Sequence, residues 1–261
     1  ENPNDKQVQR SLSIIFSYIG YVEMEMGQTL EAVRFFSDSL ELTQKNSDVE
    51  NLQSRSDLSI AHVWVGIALS EDGKYEESLP HLQKAFELQK SVYEADKNNF
   101  GERNGLADCY LELGKAAVKA VKSDEAIKNL QKAIENYEAV YQTDRQNFSA
   151  RRQIAFSQIY LADAFRQKKD DVKALEIYEK ALKILQELTA LDSNNTEWQH
   201  DLAVCHLRLG EILSAKDERN SALKHLETAQ PILEKLSAQS PEHTKRRADW
   251  EAVKNLISRL K

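Results

Sequence analysis

Apolar positions recur along this chain at helical rather than strand spacing. Leu106, Cys109, Tyr110, Leu113 and Ala117 fall three or four residues apart, which sets them on one face of an α-helix. Lys122, Ser123 and Asp124 interrupt the pattern, and Ser and Asp readily accept hydrogen bonds from the open first turn of a helix. Ile127, Leu130, Ile134, Tyr137 and Tyr141 then resume it. The predicted unit is two amphipathic helices joined by a short turn.

The unit repeats. The stretches ADKNNFGERNGLADCYLELGKAA (95–117) and LDSNNTEWQHDLAVCHLRLGEIL (191–213) share Asp-x-Asn-Asn, Leu-Ala-x-Cys and Leu-Gly. With the glycine of Leu-Gly as origin, Gly20, Gly66, Gly114, Ala162 and Gly210 align at one step of 46 residues and three of 48. Eight before it stand Leu12, Leu58, Leu106, Ile154 and Leu202, and one before it Ile19, Val65, Leu113, Leu161 and Leu209. Twelve after it stand Ala32, Ser78, Ala126, Ala174 and Ala222, and nineteen after it Ser39, Ala85, Ala133, Ala181 and Ala229. Small residues in these columns allow two helix axes to approach closely. Trp250 and Ile257 continue two of the apolar columns into a lone final helix, which would close the open end of a stack. Asp96 to Asn99, Asp144 to Asn147 and Asp192 to Asn195 each end one unit and cap the next. The short first step implies a shortened connection around 46–50, and Pro80 and Pro231 should bend the second helices that contain them.

These columns resemble the tetratricopeptide repeat in a long form found in many bacterial proteins. The likeness rests on the Leu-Gly pair, the Ala at plus twelve and plus nineteen, and a large residue at plus sixteen (Phe36, Leu82, Leu130, Tyr178, Leu226). The common unit is about 34 residues; the added length corresponds to roughly two turns on each helix at about 3.6 residues per turn. The expected fold is all-α: a right-handed α-solenoid of five helix-turn-helix repeats (near 4–48, 49–96, 97–144, 145–192 and 193–240) and a capping helix at 242–260, forming a single domain over 1–261.

Composition agrees. Only 8 Gly and 4 Pro occur among 261 residues while 30% are charged, too little punctuation for a β-sandwich. The net charge of −7 is gathered at the front, where residues 1–97 hold 17 acidic and 9 basic side chains; no basic stripe invites nucleic acid. No run of about 18 apolar residues is present to insert in a membrane. A start at Glu1 without Met reads as a piece of a longer or processed protein.

Candidate chemistry is sparse. Cys109 and Cys205 lie two repeats apart, on the order of 20 Å at about 8–10 Å per helix layer, and read as buried thiols that argue for no oxidising compartment. His62 and His206 share a column with Phe16 and Tyr110 and read as packing residues. His200 and His206 lack the i,i+4 spacing of a helical metal site, and no catalytic motif occurs, so no metal, cofactor or enzymatic activity is expected.

The resemblance implies instead a groove lined by the first helix of each repeat, with a protein or peptide as ligand. Its columns stand six and three residues before the origin and one and four after it. They place Tyr21, Met24, Ile60, Val63 and Ile67 in an apolar strip, and Lys115, Asp163, Arg166 and Glu211 among charged positions. A polar column ten before the origin adds Arg152 and His200. The family's clamp for a C-terminal carboxylate is not reproduced, since only Lys115 is present and it is one row away. The strip is either an open surface that receives a partner's apolar face or is buried between neighbouring first helices. Two alternatives to a free-standing scaffold remain. One is a sensor or docking region of a larger bacterial signalling protein such as a serine/threonine kinase, to which Asn2-Pro3-Asn4-Asp5 bears a loose likeness. The other is self-assembly into a homo-oligomer.

Overall fold

The structure is a computed structural model, and it describes residues 6–48 and 50–261. Among these residues every regular element is an α-helix. The helices come in antiparallel pairs, first α1 (Lys6–Glu25) with α2 (Thr29–Asn46), then α3 (Leu52–Glu71) with α4 (Tyr75–Ala95). The next are α5 (Phe100–Lys119) with α6 (Ser123–Thr143), α7 (Phe148–Gln167) with α8 (Asp171–Leu191), and α9 (Thr196–Ala215) with α10 (Arg219–Gln239). A lone α11 (Thr244–Leu260) follows. The expected all-α architecture of five helix pairs and a final helix is what forms. The chain divides into two compact units, Glu1–Asn136 and Tyr137–Lys261.

The origin column sets how close the two helices of a pair can come. A Cβ added at Gly66 would lie 2.5 Å from Leu82, one at Gly114 2.6 Å from Leu130, and one at Gly210 2.6 Å from Leu226. The large residue at plus sixteen therefore sits directly on the glycine. At Gly20 the facing residue is the flat ring of Phe36, and the same added atom would lie 3.0 Å away. The fourth repeat, whose residue at plus sixteen is Tyr178, carries Ala162 at this position.

Each unit has its own core. In the first, Ala32, Phe36 and Leu40 of α2 pack with Leu58, Ala61, Val65, Ala68 and Leu69 of α3. In the second, Leu207 of α9 and Leu226, Ala229 and Leu233 of α10 pack with Val253 and Ile257 of α11. Trp250 leans on this second cluster, so the final helix closes it as its column pattern predicts. Both cysteines are free and buried. Cys109 Sγ lies 3.8 Å from Ser59 Oγ, and Cys205 donates to the Tyr178 carbonyl at 3.5 Å.

Two kinds of connection alternate. Within a pair, the residue seven after the origin takes a left-handed backbone: Gly27, Gly73, Val121, Lys169 and Asp217, with φ between 59° and 79°. The N–H of the next residue then reaches back five residues, as in Lys74 to Leu69 and Lys122 to Ala117, both at 2.8 Å. This turn satisfies carbonyls that the helix end would otherwise leave open. It also corrects the sequence reading at Ser123 and Asp124, which lie inside the first turn of α6 rather than before it. Helices α2, α4 and α10 begin with no side-chain cap.

Between pairs the side chains do cap. Asn99, Asn147 and Asn195 accept from the first-turn N–H groups of α5, α7 and α9. Asp96, Asp144 and Asp192 hold the preceding turn by accepting from the N–H two residues on. Asp48 and Asn51 do the same at the first junction. The connection there is therefore not shortened. It runs over 47–51, one residue longer than 96–99, and the deficit lies in α2, with 18 residues against 21 in α4. Helices α4 and α10 continue through Pro80 and Pro231.

Candidate functional site

Within the first unit, α1 and α3 flank a cavity of about 780 Å³. Ile14, Tyr18 and Tyr21 of α1 face it from one side, and Ile60 and Trp64 of α3 from the other. Large apolar side chains normally lose water on folding, yet Ile14 is 49% exposed, Tyr18 71%, Tyr21 42% and Ile60 53%. Tyr21 meets Trp64 edge to face at 6.0 Å, and Trp64 in turn stacks on Phe36 at 5.4 Å. The aromatic wall of the cavity is thus braced against the core.

The floor is polar but already satisfied. Ser39 donates to the Ser13 carbonyl at 2.8 Å, which leaves Ser17 to donate to Ser39 at 2.8 Å. Thr43 donates to the Ser39 carbonyl at 2.9 Å. At the rim Arg10 of α1 and Asp57 of α3 approach to 3.6 Å. Three before the origin the first repeat lines the cavity with Ser17, where the second has a half-buried Val63 and the later repeats have Leu111, Ile159 and Leu207, all 3% exposed or less.

In the second unit the column that holds Tyr21 and Ile67 carries Asp163 and Glu211, while Phe156 and Val204 keep the Ile14 and Ile60 column apolar. Charged side chains of this unit pair with one another. Arg152 of α7 sits on Asp201 of α9 at 2.5 Å and on Glu197 at 2.9 Å, and the Asp201 carboxylate is almost wholly buried. His200 meets Asp249 of α11 at 2.9 Å. Arg166 reaches Glu211 at 3.0 Å, and Arg208 holds the same carboxylate at 3.1 Å. Asp163 accepts from the Tyr178 hydroxyl. Burial pushes the Asp163 carboxyl above its usual range, against the pull of Arg208 and of that hydrogen bond.

The residues selected from sequence therefore divide. Tyr21 and Ile60 line the cavity. Val63 and Ile67 are half-buried and do not line it, and Met24 packs on the core of the first unit. Lys115 pairs with Glu112 at 2.8 Å. Arg152, Arg166 and Glu211 belong to ion pairs of the second unit, Asp163 accepts from Tyr178, and His200 contacts Asp249. Tyr18 and Trp64 escape the sequence reading, because the column two before the origin stands outside the family's groove columns. Its sequence signal is a large aromatic residue in three repeats of five, Tyr18, Trp64 and Tyr160. Asn2-Pro3-Asn4-Asp5 lies outside the described residues. No helix among them is long and apolar enough to cross a membrane.

Residues 57–139 match the family model of the tetratricopeptide repeat. No curated protein matches the sequence. Solved structures match the fold at low identity. The apo form of RapI shares 13% of residues at a TM-score of 0.60, over 95% of this chain and 81% of that one. A singly substituted form of TPR-like repeats from Podosopora anserina, of a protein named for a kinesin light chain, shares 19% at 0.53, over 91% and 99%. A Rap protein complexed with competence and sporulation factor shares 14% at 0.55, over 97% and 66%.

Proposed function

Because the chain is built of tetratricopeptide-like repeats, a scaffold architecture, we propose that it is a non-catalytic binding module. Its ligand is a peptide or protein segment received between α1 and α3. One observation carries this reading: Ile14, Tyr18, Tyr21 and Ile60 are all exposed and all line one cavity. Covering them returns about 25 cal/mol per Å² of apolar surface removed from water. The hydroxyls of the floor are already paired and make no demand on the ligand, so selection falls to the apolar wall. Arg10 and Asp57 at the rim offer both signs of charge, which favours orientation over affinity. The Rap complex supports the reading to the extent that a protein of this fold is found complexed with a factor. We assign Arg152, Asp163, Arg166, His200 and Glu211 to the scaffold rather than to the ligand, because each already has an intramolecular partner.

Panning of a displayed peptide library against the purified chain tests this. The expected winners carry two or more closely spaced aromatic or branched aliphatic residues, and Ile60→Glu or Tyr18→Ala abolishes their binding. Failure to enrich any sequence, or winners indifferent to both substitutions, would count against the proposal.

A further inference from the structure

Four of the six histidines occupy only two columns of the repeat. Four residues before the origin stand Phe16, His62, Tyr110, Gln158 and His206; fifteen after it stand Phe35, His81, Asn129, Ile177 and His225. The columns face each other across each helix pair, as the contact of the Phe16 and Phe35 rings at 6.1 Å shows. Histidine appears in one column only where it also appears in the other, in the second repeat and again in the fifth. Since two phenylalanines fill the same space in the first repeat, packing alone does not demand the histidine pairs.

The two pairs have the same geometry. His62 Nδ1 and His81 Nδ1 lie 3.1 Å apart, and His206 Nδ1 and His225 Nδ1 lie 2.9 Å apart. Ring centroids stand 5.3 and 5.1 Å apart, with the planes inclined at 46° and 41°. Each pair joins two helices, α3 to α4 or α9 to α10, which is why a search for histidines spaced along one helix does not find it.

We propose that each pair, His62 with His81 and His206 with His225, is a two-nitrogen site for a borderline divalent metal ion of the copper, nickel and zinc class. Two imidazole nitrogens about 3 Å apart subtend roughly 90–100° at an ion held at about 2.0–2.1 Å. That angle lies between the square-planar and tetrahedral values these ions accept, and nitrogen ligands favour them over calcium or magnesium. In the metal-free pair one neutral ring donates its Nδ1–H to the other. On binding, that proton moves to Nε2 of its own ring, both Nδ1 lone pairs turn to the ion, and no net proton is released. No group of three His, Cys, Asp or Glu side chains converges on an ion among the described residues, so water completes the coordination sphere. His81 and His225 are only half-buried, which leaves a route for that water.

The test is a calorimetric titration of the untagged chain, stripped by chelator, with Cu²⁺ and separately with Zn²⁺. Two equivalents are expected for the wild type. One is expected for the His62→Phe/His81→Phe double variant, and none for the variant that also carries His206→Phe and His225→Phe. These replacements copy the first repeat, and circular dichroism verifies the fold. Should the fourfold variant not fold, the His81→Ala/His225→Ala variant takes its place with the same expected loss of both equivalents. Fewer than two equivalents in the wild type, or uptake undiminished in these variants, overturns the proposal. His200 and His243 remain in every variant and supply the internal control for other imidazoles.

Discussion

One residue after the origin, α1 and α3 carry Tyr21 and Ile67 where α7 and α9 carry Asp163 and Glu211. In the first unit α1 and α3 carry Ile14, Tyr18, Tyr21 and Ile60 to an open cavity that leaves much of each side chain in water. In the second unit α7 and α9 carry Arg152, Asp163, Arg166 and Glu211, which bind one another or neighbours on adjacent helices. A repeat therefore fixes where a side chain stands without fixing its use. Uncovered apolar surface has free energy left to give to a ligand. A satisfied ion pair has none until it is broken.

Among substitutions, the largest effect is expected in the second unit. Arg152→Ala strips the buried Asp201 carboxylate of its partner, and breaking a buried pair from one side costs about 3 kcal/mol or more. Urea denaturation should register that loss; a change near zero would move Arg152 back among the ligand-binding candidates.

The origin column comes next. Gly66→Ala drives a methyl into Leu82, and forced overpacking costs about 1–3 kcal/mol, partly offset by about 1 kcal/mol of helix propensity. Gly20→Ala meets only the flat Phe36 ring and should be close to neutral. Equal melting temperatures for the two variants would refute the packing account of this column.

Smaller still is a gain. Val121 holds φ at 59°, where a β-branched residue is strained, and Gly27 and Gly73 fill the same position in the first two repeats. Val121→Gly should raise stability by about 1 kcal/mol in thermal unfolding.

The histidine pairs behave alike in both units and serve as a control. Burial lowers His62 and His206 to about 4, against an unfolded value near 6.5. A base depressed on folding binds fewer protons in the native state, so its stabilisation is full above pH 6.5 and declines as pH falls toward 4. In chelator-treated protein the wild type should lose stability over that window, and the chain carrying phenylalanine at all four positions should lose less.

The helix pairs and their order were legible because close packing imposes residue types: a small residue under Leu82 or Leu226, an Asn before each first helix after the initial one. The left-handed turn was not legible. Gly, Gly, Val, Lys and Asp share a backbone conformation and no side-chain property. The site was half legible. Tyr21 and Ile60 could be placed by column, but the cavity they line together with Tyr18, Ser17 and Trp64 takes shape only once α1 and α3 stand side by side. The internal partners of the charged candidates were hidden for a related reason, since sequence places Arg152 and Asp201 on separate helices and their pairing is a product of stacking.

The most direct test sets two glutamates against each other, Ile60→Glu in the first unit and Ile159→Glu in the second, by urea denaturation. Ile60 is 53% exposed and Ile159 3%, although both stand in groove columns. The account predicts a change within about 0.5 kcal/mol for Ile60→Glu and a loss above about 3 kcal/mol for Ile159→Glu, which buries an unpaired carboxylate. Comparable losses for the two would contradict it.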